Sequence, residues 1–586
     1  MRFMLHYMNQ RRWEICIGTT IKVAAALAEL MIPYILEYMI DDVVPEGQWK
    51  PVIGWGLLMV ATALFVKQAN VMANRRAVRI ARDCTEQIRQ DLFDQTAQLS
   101  GNQMDAFGLP SLISRMTSDS YNVQNFIRML QTMGIRAPIL LMGGIVVTMT
   151  MDAVLSAVLC VLAPLMMGVV GYVSWKGIPL YRQVQERLDD IVCIMRENIT
   201  GVRVVKALSK ADYEEKRFRK ANDNMTHADL RAGMMMAIPG PAAQLFLNVG
   251  LVLVVVLGAY RVNAGKTLPG VILAFLTYFN MILQSVMAIN RIFLMMSKAT
   301  ASAKRMEEVI RTENDQPVLP LTEERTRHSG ALLEFDHVSF AHAAGETKED
   351  AAAFDGEQRR RCLEDVSFSL YPGEMLGIIG ATGSGKSTII NLLLRFYDAQ
   401  EGAVYVDGRD VRTYDKDALR RRFGVVFQND MIFADTLAEN ISLGREISDE
   451  SLSLAAEYAM AMPFIREKPG QLQYRADFAG ANLSGGQKQR ILIARSLAAR
   501  PEILILDDAT SALDYRTDAN LRKNLREHYE GVTTVVVAQR ISSILQADRI
   551  LVMDEGRVIG DGTHEELLEC CAVYRDIYQA QMGELS

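Results

Sequence analysis

Gly380, Gly385, Lys386 and Ser387 stand at the spacing G-x-x-x-x-G-K-[ST] within the run EMLGIIGATGSGKSTIINLLL. An apolar strand pattern precedes them and a helical pattern follows, the context this motif requires. Glycines, lacking a Cβ, let successive backbone N–H groups close around phosphate oxygens. The following helix turns its N-terminus toward the anion. Lys386 then reaches the outer phosphates, and the Ser387 hydroxyl ligates Mg²⁺. Thr382, Gly383, Ser384 and Thr388 complete the expected cradle. Further on, PEILILDDATSALD reads as a buried strand ending in Asp507, an acid placed to hold the cation through water.

The surrounding elements divide the chain in two. Of 586 residues, half are hydrophobic and 23% are charged, but the charge is unevenly spread. Crossing a bilayer takes about 20 mainly apolar residues. Ala153 to Trp175, Ala232 to Tyr260 and Thr267 to Asn290 contain no charge, and Pro51 to Ala73 holds only Lys67. Phe126 to Met151 crosses Arg128 and Arg136, while Ile15 to Ile40 holds Lys22, Glu29 and Glu37. The expectation is six membrane helices. The loops Arg75 to Gln124 and Lys176 to Arg231 are long, basic and helical in pattern, which places them in the cytoplasm. An even number of spans puts the N-terminus and the C-terminal half on that same side. Arg2, Arg11 and Arg12 read as an elbow before the first span rather than a cleavable signal.

The formal net charge of −6 gives no reason to expect nucleic-acid binding. Seven cysteines lack CxxC spacing, and Cys570 and Cys571 are adjacent, so they read as free thiols in a reducing compartment.

The run NLSGGQKQRILIARSL, with Leu483 to Gln487, resembles the signature of ABC ATPases. The segments MDAFGLPSLISRMTSDSYNVQNF and RENITGVRVVKALSKADYEEKRF resemble the intracellular loops of exporter-type (type IV) ABC half-transporters. The resemblance covers nearly the whole chain. It implies a six-helix all-α membrane domain over 1–310, a linker over 311–330 and an α/β P-loop ATPase domain over 331–586. It implies ATP and Mg²⁺ as cofactors, with Gln428 of VVFQND at the metal and the reacting phosphate, and Ser511 to Asp514 as the D-loop. ATP would be shared between two ATPase domains, so Ser484, Gly485, Gly486 and Gln487 would touch nucleotide on a partner subunit. Coupling helices are expected near Thr117 to Asn122 and Lys210 to Glu215. The setting would be the cell membrane.

The chain departs from that family pattern at several positions. Asp508 stands where the catalytic Glu is usual, one methylene shorter, and Gln539 replaces the switch histidine. Gln can donate a hydrogen bond but cannot carry the proton. Both changes fall on the site built from this chain's own phosphate loop, whereas its signature is intact. This resembles the degenerate-site subunit of bacterial heterodimeric multidrug exporters. A slow homodimer, a lipid or peptide exporter and a non-transporting membrane-anchored regulator are the alternatives. His342 occupies the adenine-stacking position, and Phe478 stands where exporters commonly place Glu. The stretch between Phe340 and Cys362 is long and reads as a hairpin tip. Lys22, Glu29 and Glu37 share one helix face. They form either a polar wall of the pathway favouring cationic substrates, or a structural ion pair, or Lys22 snorkels to the interface.

Overall fold

A chain crossing hydrocarbon must satisfy its own backbone hydrogen bonds, which makes each apolar run a helix. The computed structural model describes residues 1–342, 361–428 and 430–582. They form two units: Met1–Ala97 with Pro110–Thr312, and Gln98–Leu109 with Glu313–Ser586. The expected hairpin tip at 343–360 lies outside the described residues.

In the first unit, a short α1 (Arg2–Gln10) leads into α2 (Arg12–Tyr38) and α3 (Trp49–Gln98). The chain returns to this unit through α5 (Leu109–Ser114) and α6 (Ser120–Met151) after α4 (Gly101–Phe107), which belongs to the second unit. Then follow α7 (Ala153–Thr200), α8 (Val202–Ala207), α9 (Ala211–Ala237), α10 (Pro239–Asn263) and α11 (Pro269–Ile310). Among the described residues, six helical segments are long and apolar enough to cross a membrane; they match the six expected spans, the last starting at Pro269 rather than Thr267. At 1.5 Å per residue, α3 runs about 75 Å, against about 30 Å of hydrocarbon.

Polar side chains fix the helix ends. Asp152 accepts from the N–H groups of Val154 and Leu155 at the start of α7 and pairs with Arg261 at 2.8 Å. Asp41, in the π-helical segment Met39–Val43 that continues α2, accepts from Gly270 and Val271 N–H at 2.6 and 3.1 Å and so caps α11. Lys22, 4% exposed, donates to Asn70 and Asn74 on α3 and has no ion-pair partner among the described residues. Glu29 is paired with Arg136 of α6.

The second unit holds two sheets. The antiparallel one has β1 (Leu333–Phe340), β2 (Leu363–Leu370), β4 (Glu401–Val406) and β5 (Arg409–Asp410), in the order β2-β1-β4-β5. The larger contains β3 (Met375–Gly380), β6 (Phe423–Val426), β7 (Ile503–Asp507), β8 (Thr533–Val537), β9 (Arg549–Asp554) and β10 (Arg557–Gly562). Its order is β10-β9-β3-β8-β7-β6, parallel from β9 to β6. Phe335, Phe368, Ile378 and Ile505 share one apolar core that joins the sheets.

The coupling-helix expectations need correction. Thr117–Asn122 lies inside the first unit, where buried Asp119 pairs with Arg305 and accepts from Ser302 of α11. The short helix that packs within the second unit is α4. Its cap, Ser100, forms a capping box with Gln103 and donates to Asp315 at 2.8 Å. Gly101 N–H donates to the Phe396 carbonyl at 3.0 Å, and the Tyr397 hydroxyl donates to Asp105 at 2.8 Å. A Cβ at Gly101 would meet the Tyr397 ring at 2.6 Å and the Phe396 carbonyl at 2.9 Å, so this approach needs glycine. In the second loop the short helix is α8, ahead of Lys210–Glu215, and a left-handed Ser209 separates it from α9.

Candidate nucleotide site

Open α/β sheets gather ligand sites at the carboxyl ends of parallel strands. Here four adjacent strands end together on one edge. β3 ends in Gly380, β7 in Asp507 followed by Asp508, β8 runs toward Gln539, and β6 runs toward Gln428. Thr382, Gly383 and Ser384 form the turn after β3. Gly385 caps the next helix, α12 (Lys386–Leu393), at φ 97°, without a side-chain cap. Ser387 and Thr388 lie in its first turn.

Each glycine has a separate physical reason. A Cβ on Gly380 would meet the Met553 carbonyl at 2.1 Å, and one on Gly385 the Cys362 carbonyl at 2.5 Å. Gly383, at φ 84°, faces open space. The loop therefore wraps tightly against the sheet and leaves its outer face clear. Lys386 Nζ folds over it and donates to the carbonyls of Gly380 and Ala381 at 2.9 and 2.7 Å. Burial holds the Lys386 ammonium below its ordinary pKa.

Ser387 Oγ donates to Asp507 Oδ2 at 3.0 Å. Burial pushes the Asp507 carboxyl up, although the Ser387 hydrogen bond and Lys386 oppose it. This hard-oxygen pair beside a phosphate cradle suits Mg²⁺, which takes one or two protein oxygens and completes its shell with phosphate and water. Among the described residues no His/Cys/Asp/Glu group of three could hold a metal by itself. The residues present therefore fit a nucleotide–Mg²⁺ complex.

Asp508 adopts the left-handed conformation at φ 51°. Its Oδ2 accepts from Gln539 Nε2 at 3.1 Å. Burial raises its pKa, opposed by Arg540 and by a hydrogen bond from Gln428. Gln428, Asp508 and Gln539 thus converge beside Lys386, Ser387 and Asp507. His342 lies just beyond β1, edge-on to Phe340 and Tyr397 with ring centroids 5.0 and 4.9 Å away.

The signature is built separately. Ser484 caps the helix Gly485–Ala498, accepting from Gln487 N–H at 3.3 Å while its own N–H donates to Gln487 Oε1 at 3.0 Å. Gly486 lies against the D-loop, where a Cβ would meet the Ala512 carbonyl at 3.2 Å.

Sequence reasoning missed three positioning residues. Gln489 brackets the D-loop, bonding Ser511 Oγ at 3.3 Å and Ala512 N–H at 3.0 Å. Gln581 grips both sides of the switch position, donating to the Gln539 carbonyl and accepting from Ile541 N–H, each at 2.8 Å. Tyr397 joins α4 to the His342 ring. Gln489 stands in the run NLSGGQKQRILIARSL, but its D-loop contact is not local; Gln581 and Tyr397 carry no local motif, and only the fold brings them to the site.

The comparisons with known proteins follow this layout. Residues 15–286 match the family model for the ABC transporter transmembrane region, and residues 363–511 the ABC transporter model. The uncharacterized ABC transporter ATP-binding protein YfiB of Bacillus subtilis is 34% identical, covering 95% of this chain and 94% of its own. The ATP-dependent lipid A-core flippase of Methylobacillus flagellatus is 30% identical over 91% of this chain and 87% of its own. A solved bacterial Atm1-family ABC exporter with ATP bound has the same fold, with TM-score 0.78, 24% identity and 99% of both chains covered. A transmembrane region fused to this ATPase fold, with relatives matched over almost the full length, makes the chain a member of the ABC transporter family.

Proposed function

We propose that the chain is one subunit of a two-chain, ATP-driven exporter moving drugs or other amphipathic compounds out of the cytoplasm by alternating access. In this reading the ATPase unit and the N-terminus are cytoplasmic, and the first unit spans the cell membrane. The loop Gly380–Thr388 holds the phosphates, and His342 lies against the base. Ser387, Asp507 and Gln428 hold Mg²⁺, which neutralises phosphate charge when bound. Ser484 to Gln487 serve the partner's nucleotide. Closure of the two ATPase domains is passed to the membrane helices through α4 and α8.

The observation that carries the asymmetric version is the Asp508–Gln539 pair. A carboxylate one methylene short meets an amide that cannot accept the proton, where the attacking water must be oriented. The chain's own site then retains ATP, and the partner's catalytic groups with this chain's signature turn it over. Exposed Ile199, Val204 and Leu208 around α8 support docking on a second subunit. Lipid flipping is a second reading, supported by the lipid A-core flippase among the relatives.

Co-expression with a neighbouring half-transporter tests the proposal. The pair should co-purify, hydrolyse ATP and drive uptake into inverted vesicles. Full ATPase activity from the lone chain would remove the heterodimer, and absence of ATP-dependent uptake by the pair would remove export.

A further inference from the structure

The membrane unit contains a half-open cavity of about 600 Å³. One wall is a polar stripe of α11. Thr277, Asn280, Gln284 and Arg291 all line the cavity, and spacings of three, four and seven keep them on one helix face. Polar and charged groups on membrane helices turn toward a bundle interior or aqueous cavity because hydrocarbon penalises them.

The other charged lining groups are already matched. Arg136 grips Glu29 through both carboxylate oxygens, Nη2 to Oε1 at 2.5 Å and Nε to Oε2 at 3.0 Å. Lys22 and Glu37 do not line the cavity. Arg291 has no hydrogen-bond or ion-pair partner among the described residues. The cavity therefore holds two guanidiniums against one carboxylate, and that carboxylate is consumed internally. Met133, Met166, Met281 and Met287 supply an apolar, adaptable lining. This charge balance is the reverse of the cation preference expected from Lys22, Glu29 and Glu37.

We propose that this cavity takes amphipathic anions, with Arg291 receiving a carboxylate or phosphate and the methionine-lined wall holding the apolar body. The role of such binding rests on the export reading; the binding itself does not. An anion at Arg291 gains a charge-assisted hydrogen bond that an uncharged analogue of the same shape lacks.

The test uses the full chain in phosphatidylcholine nanodiscs and two fluorescent probes, 11-(dansylamino)undecanoic acid and its primary amide. The acid should bind about tenfold more tightly than the amide. Arg291→Gln should abolish that difference, Arg291→Lys should keep most of it, and Glu29→Gln should tighten acid binding by releasing Arg136. Displacement of the acid by phosphatidylglycerol in the disc assigns the site to a lipid headgroup, and no displacement assigns it to a water-borne amphiphile; both retain the anion site. Equal binding of acid and amide, or an acid preference untouched by Arg291→Gln, overturns the proposal. Vesicle uptake separates the two readings. Charge-selective binding without ATP-driven uptake sinks export alone, whereas ATP-driven uptake without acid-selective binding sinks the anion site alone.

Discussion

Gln539 Nε2 donates to Asp508 Oδ2 at 3.1 Å, and the Gln539 carbonyl is itself held by Gln581 at 2.8 Å. The residue after the strand-end acid is thus tied to a neutral amide on a braced switch segment. If this geometry limits turnover, Asp508→Glu with Gln539→His should raise ATPase activity of the assembled transporter. Displacing a catalytic group by about 1 Å costs on the order of 10²-fold, which sets the upper scale of the gain. Steady-state phosphate release measures it, and an unchanged rate would count against the asymmetry.

Asp507 carries a stability–function conflict. Burial raises its pKa in the folded domain. A carboxyl with a raised folded value favours folding while protonated, below its unfolded value of about 3.9. That contribution is lost as pH rises through the raised value. Above that raised value the ionised group therefore weakens the nucleotide-free protein. Asp507→Asn should raise the nucleotide-free melting temperature and abolish the further rise with Mg-ATP. Thermal scans with and without Mg-ATP read both effects, and a lower nucleotide-free melting temperature would refute the sign.

Gly101 tests the docking of α4. A Val there would clash with the Tyr397 ring and the Phe396 carbonyl, an overpacking of about 1–3 kcal/mol. Transport should fall while equilibrium ATP binding is retained. Filter binding of labelled ATP alongside vesicle uptake separates these outcomes, and parallel loss of both would assign Gly101 a general folding role.

The cap on α11 is a stability element of the membrane unit. Asp41→Ala removes the acceptor of two N–H groups at that helix start and should destabilise the protein by about 0.5–2 kcal/mol. Thermal unfolding in detergent measures it, with Asp41→Asn expected to recover part of the loss.

The strand–turn–helix around Gly380 to Ser387 and the strand ending in Asp507 were legible in the sequence because they are contiguous: a strand, a glycine turn and a helix start need no distant partner. The six spans were legible because length and apolarity are local properties. What escaped depends on pairing across elements. Glu29 and Arg136 sit on different spans, and only packing makes them one ion pair. Arg291 lies one residue beyond the uncharged stretch Thr267 to Asn290, so the span reading passed over it. A coupling helix was expected near Thr117–Asn122 from resemblance, whereas the short helix that packs within the second unit is Gly101–Phe107, held by Phe396 and Tyr397 nearly 300 positions away.

The most direct test of the two-subunit, asymmetric account is vanadate trapping with photoreactive labelled ATP on the co-purified pair during turnover. The account predicts intact triphosphate retained on this chain and vanadate-trapped diphosphate on its partner. Vanadate-trapped diphosphate on this chain to the same extent as on the partner would contradict it.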